Sequence, residues 1–145
     1  MGGSSVWFPR RIISRVLSGF RIRRLRGGFL RNEMSLREEY FRAAAAQGKP
    51  RGLHWAECSW LSERVLLRER ENGQWWVLSA VNLSFEAVAG GEMEGVEAVS
   101  MVREACAVFV WSNGSWRASG RTLFNMGTER ALTHLGETHE FLGAI

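Results

Sequence analysis

Apolar residues follow two different periods along this chain. From Leu36 to Gln47 they recur at helical spacing, with Leu36, Tyr40, Ala43 and Ala44 on one stripe and Gln47 at its end. Gly48 and Pro50 then act as stop signals. Just ahead, Ser35-Leu36-Arg37-Glu38 fits a capping box in which Ser35 accepts from the Glu38 backbone N–H and Glu38 returns the bond. A helix that starts there needs nothing upstream. Beyond Gly52 the period falls to two. Leu53 to Trp60 and Arg64 to Arg70 read as strands joined by a turn near Leu61-Ser62, and Gln74 to Ala87 reads as the longest strand. On that strand Trp75, Val77, Ser79, Val81, Leu83 and Phe85 alternate with more polar positions and form the better core face.

Two turns share one pattern, Glu71-Asn72-Gly73 before Gln74-Trp75 and Ser112-Asn113-Gly114 before Ser115-Trp116. Asn-Gly between apolar strands is a hairpin signal, compatible with a two-residue loop or a three-residue loop that ends in a glycine bulge. A two-residue first loop would set Arg68 and Arg70 on the face of Trp75 and Val77. Three-residue loops instead place Leu67 opposite Val77 and Val110 opposite Trp116, leaving Arg68 beside Trp76 and Arg117 beside Phe109 as cation–π pairs. Three-residue loops are therefore expected. Between the hairpins, Val96, Val99, Met101 and Val102 suggest a short helix within 88–104, the least regular stretch. The chain closes with a helix capped by Thr128, carrying Ala131, Leu132, Leu135 and Leu142 on one side and weakened by Gly136.

The order is thus helix, five strands, helix, which predicts an α+β fold: an antiparallel meander of about five strands with the N-terminal and C-terminal helices packed on one face, as a roll or sandwich. That order resembles cystatin-like and related rolls, a likeness of element order alone that implies nothing about function.

Charge divides the chain. The 145 residues carry a formal net charge of +4, but eight arginines and no acid precede Glu33. From Met34 onward eleven Lys or Arg face fourteen Glu, a net of −3, and the chain contains no Asp. The basic character belongs to residues 1–33, so a domain-wide nucleic-acid surface is not implied and Asp-based metal loops are excluded. Residues 34–145 are expected to form the single domain, and residues 1–33 a basic leader, disordered or a lone amphipathic helix. Between Pro9 and Arg26 the residues Ile12, Ile13, Val16, Leu17 and Phe20 could form one helical stripe, ended by Gly27 and Gly28. Four readings of this leader compete: upstream sequence ahead of a true start at Met34, a helix for a membrane surface or other anionic partner, an RNA- or DNA-binding arm, or an organellar targeting peptide. In the anionic-partner readings Arg10, Arg11, Arg15, Arg21, Arg23, Arg24 and Arg26 make the contacts. No apolar run is long enough for a transmembrane segment. With no secretory signal, Cys58 and Cys106 read as reduced thiols of a cytoplasmic protein.

Chemistry-bearing patterns are sparse. His54 and Cys58 would share a strand face but stand roughly 13 Å apart, too far for proton transfer. Three histidines and two cysteines show no ligand spacing, and His134 and His139, five apart on the expected helix, point apart, so neither a metal nor a cofactor is expected. Glu92, Glu94 and Glu97 read as a solvated loop. Seven tryptophans are the unusual feature, six of them in expected strands. Alternation forces some indoles outward, and Arg68, Trp76, Phe109, Trp111 and Arg117 are expected to share an open sheet face that docks a protein partner or a second copy of the chain. The alternatives are a nucleic-acid-associated protein using the arginine leader, or a ligand pocket or enzyme in a curved sheet with His54, Glu57 or Arg121 inside it.

Overall fold

The computed structural model describes residues 10–145, with side chains for residues 19–99 and 101–145. Helix α1 (Arg10–Ala46) is followed by β1 (Leu53–Glu69), β2 (Trp75–Ala87), a 3-10 turn (Glu97–Ser100), β3 (Arg103–Ser112), β4 (Ser115–Phe124), α2 (Thr128–Leu135) and β5 (His139–Ala144). The strands form one antiparallel sheet in the order β4-β3-β2-β1-β5. The α+β class and the five-stranded sheet are those the sequence predicts. The details that differ have local physical causes.

Helix α1 does not begin at Ser35, nor does an earlier helix end at Gly27-Gly28; one helix runs through both. Ile22, Leu25, Phe29, Leu36, Tyr40 and Ala44 lie on one stripe against the sheet, with Leu25 and Phe29 as deeply buried as Leu36 and Tyr40. The boundary expected after residue 33 falls inside this helix. Glycine costs about 1 kcal/mol relative to alanine in a helix interior. Here Gly28 lies against the Trp116 indole, 3.8 Å from where a Cβ would sit, and the Trp116 Nε1–H donates to the Leu25 carbonyl at 2.9 Å. That spacing is ordinary contact, so the site would hold a methyl group as well; the helix continues because burial of Leu25 and Phe29 outweighs the propensity lost.

Strand β1 is one bent strand instead of two. Register shifts between Trp55 and Glu57 and between Trp60 and Arg64 bend it without ending it. The first hairpin pairs Arg68 with Trp75, and Glu69 N–H donates to Gln74 O at 2.8 Å, so Arg70-Glu71-Asn72-Gly73 forms a four-residue loop. The second hairpin pairs Trp111 with Trp116 and Ser112 with Ser115, leaving a two-residue loop. Asn113 at φ 51° and Gly114 at φ 81° are both left-handed, the signature of a type I′ turn. Neither loop has the three residues expected, and both strand faces are re-sorted by one position.

At the C-terminus, α2 stops at Leu135, and Gly127 stands at its N-cap where Thr128 was expected. Residues after Gly136 return as β5, which pairs with β1 from Val65 to Glu69. The stretch expected to form a helix near Val99 is only the 3-10 turn, with Val99 buried in the main core.

The two helices occupy opposite faces of the sheet, not one. Leu66, Val77, Val81, Leu83 and Phe109 pack beneath α1, whereas Val65, Leu67, Trp76, Leu78, Cys106 and Val108 pack with Ala131 and Leu135 of α2. This double cover explains why β2 is buried on both faces from Trp75 to Val81.

Candidate binding site

Helix α1 is fixed along one side of the sheet. Tyr40 OH lies 2.6 Å from Thr122 Oγ1, Glu39 Oε1 accepts from the Ala118 N–H at 3.2 Å, and Gln47 Nε2 donates to the Ser119 carbonyl at 2.7 Å. At Gly120, where φ is +88°, a Cβ would stand 2.5 to 2.8 Å from the backbone of Ala43 and Ala44. The alanine run of α1 therefore reflects contact with the β4 backbone, and the helix partly covers this edge of the sheet.

The other edge is not covered in the same way. β5 pairs with β1 only from Val65 onward, and the last bond on that side runs from Ile145 N–H to Arg64 O at 2.9 Å. Leu53 N–H is taken by the Pro50 carbonyl at 3.3 Å, and among the described residues β1 from His54 to Glu63 has β2 on one side and no backbone partner on the other. Between this edge and the C-terminal half of α1 lies an open cleft of about 860 Å³. Its β1 wall comprises five consecutive residues, 56–60, which an edge can present and a single strand face cannot. Met34, Phe41 and Ala45 form the helix wall together with Arg37, Glu38 and Arg42.

The cleft is mixed, with Met34, Phe41, Cys58 and Trp60 beside Arg37, Glu38, Arg42 and Glu57, and Arg37 joins it to a mostly buried ionic cluster. Glu33 Oε2 lies 3.2 Å from Arg64 and 3.5 Å from Arg37, and all three side chains are mostly buried. The Arg37 guanidinium also sits 5.1 Å from the centre of the Trp60 ring. Two guanidinium groups against one carboxylate leave a net positive charge, and the Nε atoms of Arg37 and Arg64 have no acceptor among the described residues. Cys58, in the β1 wall, has its thiol pushed up to about 12 by burial, partly offset by Arg37, which leaves it protonated at neutral pH and a poor nucleophile. The bulge at Ala56 places Cys58 opposite Leu83 on the α1 side and His54 opposite Glu86 on the other, so they do not share a face as expected. Burial likewise raises the Cys106 thiol to about 12. No cluster of three or more metal-ligating side chains occurs among the described residues.

The five residues expected to form one docking face are not brought together. Trp76 is buried on the α2 side with Arg121 stacked over it at 4.7 Å, and Phe109 is buried on the α1 side. Arg68 stacks at 4.7 Å on Trp75 instead of Trp76, because the longer first loop pairs those two residues. The tight second turn sets Arg117 opposite Val110, and Phe109 faces Ala118. Only Trp111 and Arg117 border a common cleft, which they share with Arg24 of α1. Among the other arginines of residues 1–33, Arg21 lies 5.7 Å from the centre of the Trp75 ring, while Arg23 and Arg26 are exposed. The side chains of Arg10, Arg11 and Arg15 lie outside the described residues. Of His54, Glu57 and Arg121, only Glu57 borders the α1–β1 cleft.

No protein-family model matches the chain, and no curated protein or solved structure is significantly similar to it. Sequence reasoning missed the β1 edge because strand neighbours are set by long-range pairing. It missed the role of Leu25 and Phe29 despite a readable signal: Leu25 and Phe29 repeat as Leu36 and Tyr40 eleven residues later, one continuous stripe across the supposed boundary.

Proposed function

We propose that the protein is a non-enzymatic binding module that accepts an extended segment of a partner protein along β1. The observation that carries this reading is the unpaired β1 edge from His54 to Glu63 bordering a cleft that holds Met34, Phe41 and Trp60. Strand addition takes its affinity from main-chain hydrogen bonds, and pockets for alternate side chains give it selectivity. Here one side of an added strand would project toward Phe41, Met34 and Trp60, and the other toward solvent. Selection from a displayed library of ten-residue peptides tests this. Enriched peptides should carry apolar residues at alternate positions, protect the amides of residues 54–62 from hydrogen exchange, and lose binding to Ala45→Trp, which fills the helix wall of the cleft. Protection of the same amides that grows with protein concentration, without peptide, would identify a second copy as the occupant. Peptides that still bind Ala45→Trp, or protection confined to other strands, would overturn the reading.

A further inference from the structure

A second cleft, of about 460 Å³, lies on the other flank of α1, between helix residues 24–39 and the β3–β4 hairpin. Arg24 and Arg31 enter it from the helix and Trp111 and Arg117 from the sheet. It shares no residue with the α1–β1 cleft. We infer that this second cleft binds single-stranded nucleic acid, with phosphates held by Arg24, Arg31 and Arg117 and an unpaired base stacked on Trp111.

Charge complementarity comes first. Arg21, Arg23, Arg24, Arg26 and Arg31 are all exposed along about 15 Å of helix at 1.5 Å per residue. No carboxylate lies within ion-pair distance of Arg24, Arg31 or Arg117 among the described residues, where the ion pairs are those of Glu33 with Arg37 and Arg64. The one acid bordering the cleft, Glu39, accepts from the Ala118 N–H and keeps its charge, so three guanidinium groups stand against one carboxylate. The guanidinium groups are thus not internally neutralised. The aromatic element comes second. Trp111 is partly exposed and held edge-on by Trp116 at 5.6 Å between ring centres, a fixed platform beside the cationic groups. A base in a duplex is stacked on its neighbours and does not reach such a platform.

An anionic membrane is the competing polyanion, and the helix is poorly built for it. A surface-bound amphipathic helix needs its apolar side for the lipid. In α1 that side is already committed, with Leu25 and Phe29 in the core; between residues 19 and 33 only Phe20 at 71% and Leu30 at 43% are large exposed apolar side chains.

Fluorescence anisotropy with a labelled fifteen-nucleotide oligo(dT), between 50 and 200 mM salt, tests the inference. Three phosphate contacts should give a slope of log affinity against log salt of about −2, at roughly −0.7 per contact on single strands. Arg24→Gln with Arg31→Gln should reduce the slope to about −0.7. Trp111→Ala should weaken binding roughly 5- to 150-fold at unchanged slope, and Trp111→Phe should retain most of the affinity. The arginine substitutions are at exposed sites and report independently should Trp111→Ala disturb folding. Absence of binding at 50 mM salt, a slope indifferent to the arginine pair, or equal affinity for a duplex would overturn the inference. So would phosphatidylserine vesicles binding the protein while the oligonucleotide does not.

Discussion

Phe29 offers the sharpest test of how α1 contributes to the fold. Its side chain is 0% exposed, with ring centres 5.2 Å from Phe109 and 5.7 Å from Trp116, both edge-on. Truncating a fully buried phenylalanine to alanine typically costs about 3 to 5 kcal/mol, combining lost transfer free energy with the cavity left behind. The two edge-on ring contacts, worth about 0.5 to 1.5 kcal/mol each, favour the upper half of that range. Leu30, the next residue, is 43% exposed on the outer side of the same helix. Leu30→Ala should therefore change stability by no more than about 0.5 kcal/mol. Urea unfolding of both variants against the parent chain, followed by far-ultraviolet circular dichroism, measures the two costs with the denaturant dependence as a check on two-state behaviour. For a chain of this size Phe29→Ala should melt roughly 10 to 20 °C lower. A chain begun at Met34 loses Leu25, Phe29 and the Trp116 hydrogen bond together, and against a typical total stability of about 5 to 15 kcal/mol it should not fold. Equal effects of Phe29→Ala and Leu30→Ala, or a cooperative transition in the shortened chain at the parent's temperature, would refute the docking of this helical segment.

Gly120→Ala should cost on the order of 3 kcal/mol or more in the same assay, since it combines a positive φ with collision against the α1 backbone, while Gly114→Ala, also at positive φ but facing open space, should cost about 1 kcal/mol. His139 packs edge-on against Trp76 at 4.2 Å, and its Nδ1 lies 2.7 Å from Thr138 Oγ1. Its Nε2 is buried without a partner. Burial chiefly, with Arg121 and Arg70 adding to it and Glu69 opposing, holds its pKa below the ordinary value of 6.5. The folded ring is thus neutral where the unfolded one protonates, so stability is complete above about pH 6.5 and is lost as pH falls from there toward the folded pKa, by at most about 1.4 kcal/mol per pH unit. His139→Phe should flatten the decline between pH 6.5 and 5 in thermal melts; an unchanged slope would assign the effect to other groups.

Local pattern carried the class of the fold and much of its core. Alternation on β2 identified Trp75, Val77, Val81, Leu83 and Phe85 as the face beneath α1, and helical spacing identified Leu36, Tyr40 and Ala44. The errors arose where distant partners decide. Gly27-Gly28 is a stop signal in isolation but lies inside the helix once Leu25 and Phe29 on either side pack on the sheet. Leu142 completes a helical stripe on paper, yet the residues around it find β1 as a partner. The hairpins show how little separates outcomes: one residue in loop length moved Arg68 from Trp76 to Trp75 and took Arg117 away from Phe109. A docking face assembled from register alone could not survive that shift. Two of its five members are core residues, Phe109 beneath α1 and Trp76 because α2 covers the second face, and a helix of eight residues gives little warning of which face it will take.

Helix α1 ties the two proposed surfaces together. Its buried stripe of Leu25, Phe29, Leu36 and Tyr40 meets the sheet, one flank brings Arg24, Arg31 and Ser35 to the β3–β4 side, and the other brings Met34, Phe41 and Ala45 with Arg37, Glu38 and Arg42 to the β1 side. The first flank is cationic and borders the β3–β4 hairpin; the second mixes apolar side chains with charges of both signs and borders the open β1 edge. Because α1 is anchored to β4 by Tyr40, Glu39 and Gln47, an added strand at β1 need not displace it, and both clefts can be filled at once. Opposite flanks separated by a packed stripe have no shared side chain through which one ligand could exclude the other. Binding of peptide and oligonucleotide is therefore expected to be independent, with each affinity unchanged by saturation of the other site. Coupling greater than about threefold between them would mean that α1 shifts on the sheet, contrary to the close contact at Gly120.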